Sequence, residues 1–120
     1  MDPGRSRFGF PKKYRLLKRE QFLSVQSSPS RFVSKHLVFL YHDNSLGHVR
    51  VGFTVSKRHG KAVVRNKIKR RLRSAVRLLM PQLHLLGFDV VIIPKVGTDS
   101  QSSLDLMTEV SSFARRVKGI

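Results

Sequence analysis

Residues 62–79 carry two patterns at once. Val64, Ile68, Leu72, Ala75 and Leu79 recur at three- and four-residue intervals, so on a helix turning about 100° per residue they share one narrow sector. Asn66, Lys69, Arg70, Arg73 and Arg77 lie opposite, with Arg65, Lys67 and Arg71 nearer the margins. Such a stripe has to be buried against another layer, and such a charged face has to stay outside. From Ser56 to Arg77 there are ten Lys and Arg and not one acid. Like charges four residues apart, such as Arg65 with Lys69 and Lys69 with Arg73, each cost a few tenths of a kcal/mol in an isolated helix. With no Glu interleaved, the repulsion is best relieved by the phosphates of a ligand. Arginine forks hold phosphate oxygens in pairs and stack on bases, while Asn66 is suited to a base edge or a backbone oxygen.

The rest of the chain agrees with a polyanionic partner. It has 24 Lys and Arg against 7 Asp and Glu, a formal net charge of +17, and no acid between Asp43 and Asp89. A field of that sign favours nucleic acid first and an anionic membrane surface second. A membrane-surface helix conflicts with an apolar stripe claimed by the flanking strands. A helix-turn-helix reader needs a short preceding helix, and the preceding segment reads as a strand. The absence of cysteine excludes disulfides, zinc knuckles and thiol nucleophiles. The N-terminal stretch lacks the apolar core of a secretory signal, and "VVII", the longest purely apolar run, is too short to span a bilayer. The expected setting is the cytoplasm.

With 120 residues the chain fits one domain. Residues 1–14, with Pro3, Gly4, Gly9 and Pro11 among basic residues, read as a flexible basic arm, and 15–120 as a single nucleic-acid-binding α/β domain. A short helix is expected from about Lys18 to Gln26. The runs "FVS", "HLVFLYH" and "HVRVGFTVS" read as strands, the last two forming an antiparallel hairpin across "DNSLG". "GFDVVIIP" is a buried strand, and Leu104, Met107, Val110, Phe113 and Val117 mark a final helix with caps available from Asp99 to Ser103. The expected fold class is α+β: a two-layer sandwich of about four mixed strands and three helices.

The core "GFTVSKRHGKAVVRNKIKRRLRSAVR" resembles the protein component of bacterial ribonuclease P. The likeness lies in a strand ending in Val55-Ser56-Lys57, the Gly60-Lys61-Ala62-Val63 lead-in, and the box Arg65-Asn66-Lys67-Ile68-Lys69-Arg70 with Arg73. "REQF", "FLY" and "GFDVVIIPK" support it on both sides, so it covers roughly Tyr14 to the C-terminus. The resemblance implies the fold typified by the second domain of a small-subunit ribosomal protein. It also implies a ribonucleoprotein endonuclease that removes 5′ leaders from precursor tRNA, with catalysis by one RNA subunit per protein and its bound Mg²⁺. Carried over by position, Lys57, Arg58, Lys61, Arg65, Asn66, Lys67, Lys69, Arg70 and Arg73 contact RNA, while Phe22 and Tyr41 line the cleft for the leader. Lys67 stands where Arg is frequent, which keeps the charge but not the fork. Gln26 departs from the pattern, standing where some members have a second aromatic, so the resemblance does not carry stacking over to that turn. The alternative is a ribosomal or general structural RNA-binding protein using the same helix.

No constellation supports catalysis by the protein itself, and no protein metal site, membrane or small-molecule substrate is expected. The seven acids are scattered, and Gly60-Lys61-Ala62 lacks the remaining residues of a phosphate loop. His42, Asp43 and His48 flank the expected hairpin turn and read as exposed turn residues rather than metal ligands. His59 reads as an aid to RNA binding.

Overall fold

The computed structural model describes residues 10–27 and 30–118. Its elements, among the described residues, are α1 (Arg19–Gln26), β1 (Arg31–Val33), β2 (Leu37–Asp43), β3 (Arg50–Phe53), α2 (Ala62–Leu78), the single-turn α3 (Met80–Leu83), β4 (Phe88–Pro94) and α4 (Ser103–Val117). Short helical turns occupy Lys12–Tyr14, Lys57–His59 and Thr98–Ser100. The class is α+β, with three long helices and a four-stranded mixed sheet.

The sheet order is β1-β2-β4-β3. β4 is apolar on both faces, so it is best accommodated with a strand on each edge and cover on each side. β2 runs antiparallel to it, from Leu37 opposite Pro94 to Asp43 opposite Phe88, and β3 runs parallel, from Arg50 opposite Asp89 to Phe53 opposite Ile92. The expected hairpin is therefore corrected: β2 and β3 share the sheet, but β4 lies between them. Their connection bonds to the segment leading into β4 instead. The Asn44 N–H donates to the Gly87 carbonyl at 3.0 Å and the Val49 N–H to the His84 carbonyl at 3.1 Å.

α2 joins β3 to the parallel β4 as the helix of a βαβ unit. No Gly or Pro interrupts it, and it ends where Pro81 enters the first turn of α3. Its stripe is placed as the periodicity requires: Ile68, Leu72 and Ala75 are wholly buried, Leu79 nearly so and Val64 half-buried, with Val76 added. α2 and α4 cover the sheet face bearing Leu37, Phe39, Val51, Val90 and Ile92. There the Phe39 and Phe113 rings stack at 4.5 Å between centroids.

The buried stripe of α4 is Leu106, Val110, Phe113 and Ala114, whereas Leu104 is 73% exposed. Three successive steps of three residues carry Leu104 nine positions from Phe113, about 180° around a helix turning about 100° per residue. Ser102 caps this helix, its hydroxyl accepting from the Asp105 N–H at 3.2 Å.

α1 lies on the opposite sheet face, where Val25, Phe22 and the preceding Leu16 pack on Leu40, Val91 and Ile93. Of the expected arm, residues 1–9 lie outside the described residues. Phe10 to Tyr14 belong to the folded domain rather than to the arm: Phe10 is buried and meets Phe53 edge-on at 6.1 Å. The Leu16 N–H donates to the Val51 carbonyl at 3.0 Å, so this segment covers the outer edge of β3.

Candidate nucleic-acid interface

The cations of α2 are displayed on a helix fixed by its buried side. Asn66, Arg70 and Arg73 are exposed, and Arg65, Lys67 and Lys69 are half-exposed. Lys57, Arg58 and Lys61 are exposed on the approach, where Gly60 (φ 117°) turns the chain into the helix. Among the described residues the ion pairs are His36–Glu109, His42–Asp89 and Arg50–Asp89. None involves a cation between Lys57 and Arg77, so among the described residues the helix carries its charge without a carboxylate partner.

Arg71 differs from its neighbours. One of its terminal nitrogens donates to the carbonyls of Asp99 at 2.7 Å and Gln101 at 2.8 Å, which ties α2 to the turn before α4. Its marginal place on the helical wheel is the only hint of this in the sequence. His59 is likewise fixed, its Nε2 3.0 Å from the Pro94 carbonyl at the end of β4.

At the edge of the sheet formed by β3, a cavity of about 180 Å³ opens between α1, β3 and α2. Phe22, Gly52 and Phe53 line it together with the cations Arg15, Lys69 and Arg73. Two cations of the Arg-Asn-Lys box therefore share a groove with an aromatic ring. A second groove, of about 330 Å³, has Val38, Ile93 and Pro94 beside Arg58, His59 and Lys95. Lys95 follows the strand alone, away from the basic run, so nothing in the sequence singles it out.

Tyr41 is not in either groove. It points, like Phe39 two residues before it, to the α4 face, with its ring 5.5 Å from Phe88 and 5.3 Å from Phe113. Phe22 and Tyr41 thus lie on opposite faces of the sheet and cannot line one cleft. Gln26 is exposed at the end of α1.

Asp89 and Glu109 are engaged elsewhere. Asp89 is 2% exposed and accepts from Arg50 Nε at 2.8 Å, Arg50 Nη2 at 2.6 Å and Asn44 Nδ2 at 2.9 Å. Burial pushes its carboxyl up, but the Arg50 and Asn44 hydrogen bonds, with the charges of Arg50 and His42, outweigh it and hold the pKa below the ordinary value. Glu109 is similar: burial raises it, and hydrogen bonds from the Ser34 hydroxyl and from the His36 backbone and ring bring it below its ordinary value. His42, Asp43 and His48 do not meet. His42 approaches Asp89, Asp43 accepts from the Ser45 N–H, and the His48 ring meets Tyr14. Among the described residues no group of three or more His, Cys, Asp or Glu is placed to hold a metal ion, and no helix is long and apolar enough to cross a membrane.

These features define a class: small basic α+β proteins that present a cationic crossover helix from a mixed four-stranded sheet. The family model described as Ribonuclease P matches residues 10–118. A ribonuclease P protein component from Citrifermentans bemidjiense is 38% identical over 109 residues, covering 91% of this chain and 92% of its own. One from Gluconacetobacter diazotrophicus is 40% identical over 105 residues, covering 86% and 90%. Among solved structures, the RNase P protein of Thermotoga maritima superposes with a TM-score of 0.75 at 27% identity, covering 85% of this chain and 98% of that one. That of Staphylococcus aureus gives 0.71 at 28%, covering 88% and 92%. The chain belongs to the ribonuclease P protein family, which implies a ribonuclease P RNA as its partner.

Proposed function

We propose that this chain binds the catalytic RNA of ribonuclease P, one protein to one RNA, through the displayed face of α2, and helps that RNA remove the 5′ leader of precursor tRNA in the cytoplasm. The observation that carries this reading is the uncompensated cationic face of α2: its charges have no carboxylate partner among the described residues, and its apolar side is already buried. Arg65, Asn66, Lys67, Lys69, Arg70 and Arg73 supply the contacts, with Lys57, Arg58 and Lys61 extending them towards β3. Chemistry belongs to the RNA and the Mg²⁺ ions it holds. Asp89 and Glu109 are occupied by Arg50, Asn44, His36 and Ser34, so neither carboxylate fits a Mg²⁺ site.

The leader is held in the groove between α1, β3 and α2. A base stacks on Phe22, worth ~1–3 kcal/mol irrespective of its identity, and Lys69 and Arg73 attract the adjoining phosphate. Tyr41, on the α4 face, takes no part in that groove.

Reconstitution with a bacterial ribonuclease P RNA at low Mg²⁺ tests the reading. Faster leader removal in the presence of folded protein is expected, and no stimulation refutes it. Phe22→Ala should weaken precursor binding by about 5- to 150-fold if a full stack is lost, with mature tRNA binding unchanged. Equal losses on both would return Phe22 to the core.

A further inference from the structure

We infer that Gly52 is a positioning residue for the leader groove: by lacking a side chain it lets the Phe22 ring sit down against β3 and keeps the space beside Lys69 and Arg73 open. The inference rests on the leader reading above and extends it to a residue of the sheet. Gly52 is buried in β3, paired with Val91 of β4. Its conformation does not require glycine, since the described glycines with positive φ are Gly47, Gly60 and Gly97. What it supplies is room. A Cβ on Gly52 would lie 2.5 Å from both Cε1 and Cζ of Phe22 and 3.1 Å from Cβ of Leu16. Carbon atoms prefer roughly 3.5–4.0 Å, so at the shorter distance something must move.

The two neighbours are not equally able to yield. Leu16 is tied to the strand by its N–H bond to the Val51 carbonyl at 3.0 Å, so its Cβ moves only with the backbone. Phe22 is half-buried, and its ring rotates about two side-chain bonds beside a cavity of about 180 Å³. An added methyl therefore lifts the ring into the cavity, towards Lys69 and Arg73. That is the space a stacked base and its phosphate would use.

The test is a double-mutant cycle on the reconstituted holoenzyme, reading the preference for precursor over mature tRNA. Gly52→Ala alone is expected to reduce that preference by at least about fivefold, the lower end of a lost stack, with affinity for mature tRNA unchanged. In a Phe22→Leu background, already without the ring, Gly52→Ala should add no further loss. If Phe22→Leu lowers the preference and Gly52→Ala does not, or if the two losses add, the inference fails while the leader reading stands. If Phe22→Leu leaves the preference intact, the leader reading falls and takes the inference with it. Should Gly52→Ala alone fail to fold, the double variant should recover, because leucine lacks the two clashing atoms. A double variant that stays unfolded overturns the inference.

Discussion

Arg70 and Arg71 are adjacent, carry the same charge and occupy the same helix, and they should behave oppositely when replaced by alanine. Each replacement removes one unit from a formal net charge of +17, so a long-range field effect is the same for both. Arg70 is exposed and has no carboxylate partner among the described residues. Losing it should cost the fold little, since alanine is the better helix former. If it neutralises one phosphate, the slope of log affinity against log salt should flatten by ~0.7–0.9. Arg71 is already satisfied by the carbonyls of Asp99 and Gln101, at 2.7 and 2.8 Å. Hydrogen bonds from a charged donor contribute about 1.5–3 kcal/mol; because one nitrogen makes both bonds, that range is taken once for the pair. For a domain of this size it corresponds to a fall in Tm of roughly 5–15 °C. The salt slope should stay unchanged. Titrations of labelled ribonuclease P RNA at several salt concentrations, with a thermal melt of each variant, read both quantities. Equal flattening of the slope by the two variants would refute the reasoning, because charge alone would then matter and placement would not.

Acid should weaken the fold through Asp89 and Glu109, both held below their ordinary carboxyl pKa. The unfolded chain binds more protons in that window, so the stability they contribute is complete above the unfolded pKa values and is lost as pH falls through the folded ones. Urea midpoints measured downward from neutral pH should drop in the acid range, less steeply in Glu109→Gln; an unchanged profile in that variant would deny Glu109 its part. Arg50→Ala should destabilise by about 3–5 kcal/mol, since it strands a buried carboxylate, and a cost under about 1 kcal/mol by denaturant unfolding would contradict the pairing. Phe39→Ala, which removes a wholly buried ring stacked on Phe113, should cost about 3–5 kcal/mol in the same measurement.

The parts of the fold legible in the sequence are those set by local periodicity. Ile68, Leu72, Ala75 and Leu79 are buried as their spacing requires, and α1 and β4 fall close to their expected limits. Strand pairing was not legible, because it depends on which strand most needs two neighbours. β2 and β3 are consecutive and separated by turn residues, yet the two-sided apolar character of β4 places it between them. The site shows the same division. The cationic face of α2 follows from its wheel, whereas the separation of Phe22 from Tyr41 depends on which sheet face each element packs. Arg71 was missed for a related reason: its carbonyl partners lie 28 and 30 residues away, in a turn whose position only the tertiary fold determines.

The βαβ setting of α2 also bears on how RNA binding proceeds. Six like-charge pairs lie three or four residues apart along it: Arg65/Lys69, Lys67/Arg70, Lys67/Arg71, Lys69/Arg73, Arg70/Arg73 and Arg73/Arg77. At about 0.2–0.5 kcal/mol each, they oppose the helix by roughly 1–3 kcal/mol. Against that, Ile68, Leu72 and Val76 are wholly buried, and at about 1.5–3 kcal/mol apiece they contribute roughly 5–9 kcal/mol. Anchoring outweighs repulsion, so the like charges do not by themselves keep the helix from forming before RNA arrives. Binding then relieves repulsion without having to order the chain, unlike a basic arm that folds only on its partner. Association should accordingly be strongly salt-dependent, while its heat-capacity change stays small for the area covered, because the apolar stripe is already out of water.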